Sequence, residues 1–169
     1  MNLNILPLRQ LSGAVIPFAF SADLSDLELY GEYPIPEPAL VSGQAENRAD
    51  LFLLHMHAEY TVHTACARCL KPLTIPETLD IERVLVDSVE DEEKLGEEEI
   101  VLIENDAADL DEVVREAVIW SAQMSYLCKE DCLGLCPRCG KDLNEGPCDC
   151  KPEIDERFAA LADIHFDEE

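Results

Sequence analysis

The sequence predicts an α+β protein: an antiparallel sheet or partial β-barrel, one main packing helix and a cysteine-rich C-terminal section. Three observations carry this. Residues 51–64 alternate apolar and polar side chains, residues 110–121 repeat apolar side chains at helical spacing, and six of the eight cysteines fall between Cys128 and Cys150. Strict alternation gives a strand one core face and one wet face, whereas a repeat near 3.6 gives a helix one buried stripe.

From the N-terminus, residues 3–8 and 14–20 read as short strands separated by the turn-prone Ser12-Gly13. Residues 30–38, interrupted by Pro34, Pro36 and Pro38, are too broken for regular structure. Residues 39–48, 51–64 and 72–87 then form three consecutive antiparallel strands, with a hairpin loop at 47–50 and a second at 66–71. In the middle strand Phe52, Leu54, Met56, Ala58, Tyr60 and Val62 share one face, and His55, His57, Glu59, Thr61 and His63 share the other. Residues 87–99 hold eight acids and one lysine, too much like charge to pack, and are expected to be a loop. Residues 100–103 are expected to return to the sheet as a short strand.

The main helix is expected over 110–123. Asp109 followed by Glu112 is a capping box with Asp in place of Ser or Thr, and Leu110, Val113, Val114, Ala117, Val118 and Ser121 form its stripe. A short amphipathic helix begun by Pro152 and using Ile154, Phe158 and Leu161 closes the chain. The expected division is a sheet-plus-helix domain over 1–125 and a cysteine-rich knuckle segment with its terminal helix over 126–169, packed on the first.

At 169 residues and 47% hydrophobic composition the chain has enough material for one core without disulfides. Its 37 acids against 12 bases give a net charge of −25. That opposes free nucleic-acid and anionic-membrane binding and favours a basic protein partner. The first ten residues carry no positive charge ahead of their apolar stretch, unlike a secretory signal, and no apolar run approaches a membrane span. The expected compartment is the cytoplasm, where cysteines stay reduced and serve metals or thiol chemistry.

The cysteines pair as Cys66/Cys69, Cys128/Cys132, Cys136/Cys139 and Cys148/Cys150. Zinc takes four thiolates in a tetrahedron, and C-x2-C in a tight turn offers two sulfurs from one side. Four pairs therefore make two structural zinc sites per chain. Pro137 and Gly140 suit the turn at Cys136/Cys139, whose partners are expected to be Cys148 and Cys150. By elimination Cys66 and Cys69 join Cys128 and Cys132, although C-x3-C is a weaker knuckle and Cys132 can serve either set. Dithiol–disulfide cycling is the alternative use, without the βαβ setting that accompanies it in thioredoxin-like chains.

Arg68, Lys71, Lys129, Arg138, Lys141 and Lys151 each lie within three positions of a cysteine. They offset thiolate charge or form a basic rim that touches RNA or a partner. His55, His57, His63 and Glu59 share a strand face and have ligand chemistry, but alternating polar residues on a solvated face are commoner. Trp120 departs from the helix stripe and is expected at the surface, a hint of a contact site. No nucleophile, acid–base pair or phosphate loop is legible, so the chain reads as a non-enzyme.

The 66–70 hairpin tip (CARCL), the 109–114 helix start (DLDEVV), the 128–144 run CKEDCLGLCPRCGKDLN, Cys148-Asp149-Cys150 and the closing 155–161 DERFAAL together resemble the YceD family of bacteria and plastids. The resemblance is specific from Tyr60 onward. It implies a role in accumulation or processing of large-subunit ribosomal RNA, and a genetic neighbourhood with a small large-subunit ribosomal protein. It also implies that the first cysteine set recurs widely while the second, absent from some branches, is a stability module.

The expected function is a non-enzymatic factor for accumulation, processing or assembly of the large ribosomal subunit and its 23S rRNA, with two structural zinc ions. Its partner would be a large-subunit precursor or a basic ribosomal protein. The alternatives are a zinc-ribbon adaptor for another basic partner and a thiol-based redox sensor.

Overall fold

A computed structural model describes residues 1–49, 51–87 and 100–150. The acidic stretch 88–99 and the closing helix expected after Pro152 lie outside the described residues.

The centre of the molecule is the hairpin of β4 (Leu51–Ala65) and β5 (Pro72–Val86), each 15 residues long and paired from Phe52↔Leu85 to Ala65↔Pro72. With β3 (Ala39–Arg48) on the other side of β4, these are the three consecutive antiparallel strands expected from the alternation. The expected faces hold: Leu54, Met56, Ala58 and Val62 are buried, and Phe52 and Tyr60 pack partly buried against the same core. The short β2 (Val15–Ala22) pairs antiparallel with β3. The strand β6 (Ile100–Leu102) returns to the sheet beside Val84–Val86 as its one parallel neighbour. The order is β2-β3-β4-β5-β6, so among the described residues the sheet is open, with β2 and β6 at its edges.

A helix spanning Leu110–Ser121 covers the apolar face. Leu110, Val113, Val114, Ala117 and Val118 are buried on the expected stripe, while Ser121 at its end is exposed. The side chain of Asp109 caps it by accepting the N–H of Asp111 at 3.1 Å, one position earlier than the capping box specifies.

The expectation of a strand over 3–8 is corrected. Residues Asn2–Asn4 form the three-residue β1, paired antiparallel with β7 (Ala107–Asp109), and Leu6–Gln10 form the short helix α1, which makes the main helix α2. Pro7 lies in the first turn of α1, where its missing N–H costs no helix bond, and the Asn4 side chain accepts the N–H of Leu6 at 2.9 Å. The helix is held from outside. Leu8 is fully buried, Arg9 pairs with Asp87 and Asp106, and its guanidinium stacks 5.6 Å above Phe52.

Two positions bind the sheet tightly. Asn47 is buried and donates from Nδ2 to the Leu8 carbonyl at 2.7 Å, tying α1 to the end of β3. Gly43 leaves no room for a side chain, since a Cβ there would stand 2.2 Å from the His55 carbonyl oxygen.

Candidate metal centres

The long β4–β5 hairpin projects its tip, residues 66–71, toward the segment that follows α2. Two backbone bonds set that contact and a third shapes the tip. Ala67 N–H donates to Tyr126 O at 2.9 Å, Leu135 N–H donates to Arg68 O at 3.1 Å, and within the tip Cys66 N–H donates to Lys71 O at 2.8 Å. Arg68 completes the clamp by donating from Nη1 to the carbonyls of Cys132, at 2.8 Å, and Glu130, at 3.4 Å.

The tip at 66–71 and the turn at 136–141 are the same local structure. In each, the first cysteine's N–H donates to the carbonyl five residues on at 2.8 Å. In each, its own carbonyl accepts the N–H four residues on at 2.9 Å. That fourth residue takes a left-handed backbone, φ +59° at Leu70 and +71° at Gly140. Glycine meets this requirement without strain, whereas leucine pays about 1–2 kcal/mol for it. The shared C-x-R-C-x-K spacing was legible in the sequence and would have revealed the duplication, which the pairing of cysteines alone did not.

The knuckles gather the sulfurs into two groups, Cys66, Cys69, Cys128 and Cys132, and Cys136, Cys139, Cys148 and Cys150, with the sulfurs of each group within 4.8 Å of one another. The grouping that spacing and elimination suggested is the one the fold makes, and Cys132 faces the first set. Four thiolates about 2.3 Å from a tetrahedral zinc stand about 3.8 Å apart. Cys66 and Cys132 sulfurs are 3.8 Å apart, and Cys69 and Cys128 sulfurs 3.6 Å, so the donor set fits the ion. In the first group Cys66, Cys69 and Cys132 are buried and Cys128 is the most open.

The thiols of each group differ in acidity. Cys66 is drawn down to about 6 by the N–H groups of Cys128 and Cys69, and Cys136 to about 6 by those of Cys139 and Arg138. Cys128 is pushed up to about 12, first by burial and then by its neighbouring thiols, and Cys150 to about 12 by its bond with Cys139 and by burial. Four thiolates crowded this closely do not ionise together without a cation among them. A divalent ion supplies that charge and releases protons as it binds.

The basic residues beside the cysteines are largely engaged locally. Arg68 holds the clamp described above, Lys141 Nζ donates to Pro147 O at 2.8 Å, and Lys129 pairs with Asp131 at 3.6 Å. The strand histidines meet carboxylates. His57 lies 2.6 Å from Asp80, His63 lies 2.9 Å from Glu37, and His55 lies 3.5 Å from Glu82. The contact with Asp80 raises the His57 pKa. Among the described residues the two cysteine groups are the clusters whose ligand atoms converge. Trp120 is 79% exposed, as its place off the stripe predicted.

Sequence reasoning missed Gly134 and Asn144. Gly134 has φ +73°, and a Cβ there would lie 2.9 Å from the Arg68 carbonyl, so close passage of the two segments requires glycine. Asn144 sits in a 3-10 turn at Leu143–Glu145, between the cysteines of the second group, and donates from Nδ2 to the sulfur of Cys132 at 3.4 Å. A polar residue in a cysteine-rich loop gives no signal of that reach.

The family model described as large ribosomal RNA subunit accumulation protein YceD matches residues 54–165. Proteins described as uncharacterized from Mycobacterium bovis and Mycobacterium tuberculosis are 33% identical over 101 residues, which is 59% of this chain and 48% of each relative. The match thus spans about half the length of those relatives. No solved structure matches. The matched span begins in β4 and takes in the clamped hairpin tip, α2 and all eight cysteines, and on that match the chain belongs to the YceD family, whose members are described as large ribosomal RNA subunit accumulation proteins.

Proposed function

We propose that this chain is a non-catalytic factor for accumulation, processing or assembly of the large ribosomal subunit, acting in the cytoplasm, with a structural zinc ion in each cysteine group. The observation that carries the reading is the closed four-sulfur geometry inside the family-matched span. Four thiolates fill the coordination sphere of zinc and leave no position for water or substrate. The ion would supply positive charge and a cross-link.

The chain's own residues do the rest. Cys66 and Cys69 present sulfurs from the hairpin tip, Cys128 and Cys132 from the segment after α2, and Arg68 holds the two segments in register through backbone carbonyls. The first centre thereby fastens the sheet to the cysteine-rich section. Partner choice follows from charge: a net −25 attracts a basic ribosomal protein and repels free RNA. Arg68, Lys71, Lys129, Arg138 and Lys141 together offer a local basic rim for RNA already held in such a particle.

Gradient sedimentation of cell extracts tests this. The chain is expected to co-migrate with large-subunit precursor particles and to lose that association in a Cys66→Ser/Cys69→Ser variant. Absence of co-migration in every growth state would overturn the proposal.

A further inference from the structure

The two cysteine groups are joined by more than chain continuity. Asn144 lies between Cys139 and Cys148, in the loop that the second group closes. Its side chain nevertheless serves the first group. Nδ2 donates to the sulfur of Cys132 at 3.4 Å, and Oδ1 accepts the N–H of Leu133 at 3.0 Å. Asp142 aims it by accepting the Asn144 backbone N–H at 2.9 Å and its Nδ2 at 2.6 Å. A backbone route runs in parallel, from Leu143 N–H to Gly134 O at 2.9 Å and from Leu135 N–H to Arg68 O at 3.1 Å, so the loop also braces the hairpin tip.

We propose that Asn144 is a positioning residue for the first metal centre, through which filling of the Cys136/Cys139/Cys148/Cys150 group tightens metal binding at the Cys66/Cys69/Cys128/Cys132 group. The inference rests on the reading that both groups hold zinc. An N–H donated to a ligating sulfur stabilises its negative charge and fixes its direction, and loss of such an outer contact typically weakens metal binding about 10- to 100-fold. The contact is made from the turn that Asp142 caps at Leu143–Glu145. With Cys148 and Cys150 unligated the loop is tethered at one end, and ordering it opposes formation of the Asn144 bond. Filling the second group removes that cost beforehand, and by linkage filling the first group tightens the second by the same factor.

The test uses the full chain, titrated with Co2+ while the thiolate-to-cobalt charge-transfer and ligand-field bands are read, with native mass spectrometry counting bound ions. Asn144→Ala is expected to weaken the first centre about 10- to 100-fold. Cys148→Ser/Cys150→Ser is expected to weaken it comparably, and combining the changes is expected to add little, because both break one link. Asn144→Asp, made together with Asp142→Asn so that two carboxylates do not meet at the 2.6 Å contact, keeps an acceptor for Leu133 and removes the donor to sulfur. It is expected to shift the charge-transfer band of the first centre while the far-UV spectrum stays that of the wild-type chain, which a merely structural role would not do.

Equal affinities at both centres in wild-type and Asn144→Ala chains, or fully additive losses in the combined variant, would overturn the coupling and leave the zinc reading standing. Fewer than two ions on the wild-type chain would overturn the zinc reading and the coupling with it.

Discussion

Emptying the first metal centre should destabilise the protein more than emptying the second, and the difference follows from where the ligands sit. Cys69 and Cys128 are 59 residues apart, whereas Cys139 and Cys148 are nine apart. A cross-link removes loop-closure entropy from the unfolded chain in proportion to the logarithm of the loop it closes. On the scale derived for disulfides that is about 4 kcal/mol for the long loop and about 2.5 kcal/mol for the short one. At about 2–4 °C per kcal/mol for a chain of this size, the thermal midpoint should fall by about 8–16 °C in Cys66→Ser/Cys69→Ser. The corresponding fall in Cys148→Ser/Cys150→Ser should be about 5–10 °C. Differential scanning calorimetry with saturating zinc is the assay, since excess metal keeps the surviving centre filled in each variant. The wild-type chain treated with chelator should melt at or below the more damaged variant. A larger loss from the second pair than from the first would refute the claim that the first centre ties distant parts of the fold together.

Other changes probe the frame that carries the centres. Asn47→Ala removes the donor to a buried Leu8 carbonyl and should cost about 1–3 kcal/mol, read as a lower urea midpoint at unchanged slope; an unchanged midpoint would mean the bond is dispensable. Leu70→Gly should raise the midpoint, because glycine takes φ +59° without the penalty a leucine carries and the side chain given up is 65% exposed; a fall would show that Leu70 packs against something essential. The His57 pKa is raised by its bond to Asp80, so that bond favours the folded state below the unfolded pKa of about 6.5 and the advantage disappears as pH rises through the folded value. Asp80→Asn should therefore lower the His57 pKa in an NMR titration and narrow the stability difference from wild type above that value. An unshifted His57 would show the pair to be broken in solution.

The parts of the fold legible in the sequence are those where local pattern and burial agree. Strands β3 to β5 announce themselves because Phe52 to Val62 alternate against one core, and α2 because Leu110 to Val118 keep one stripe under an Asp109 cap. The grouping of cysteines was legible in outline, since a C-x2-C turn commits its two sulfurs to one side, but spacing left Cys132 open to either set and the fold places it with the hairpin tip. What escaped depends on distant partners. Leu3, Ile5 and Leu8 are all buried, but their spacing fits strand and helix alike, and the choice is made by β7, Asp87 and Asn47 far along the chain. Asn47 itself looks like an ordinary hairpin polar residue until α1 is placed above it. Asn144 gains its meaning once the second knuckle folds back on the first.

The central claim is two closed four-thiolate zinc centres in one chain, and metal counting tests it most directly. Native mass spectrometry on protein purified under reducing, chelator-free conditions, with a parallel count of thiols that react before and after denaturation in chelator, should give two zinc ions per chain. Few reactive thiols are expected before that treatment and eight after it. One zinc or none, with the cysteines freely reactive in the folded protein, would contradict it.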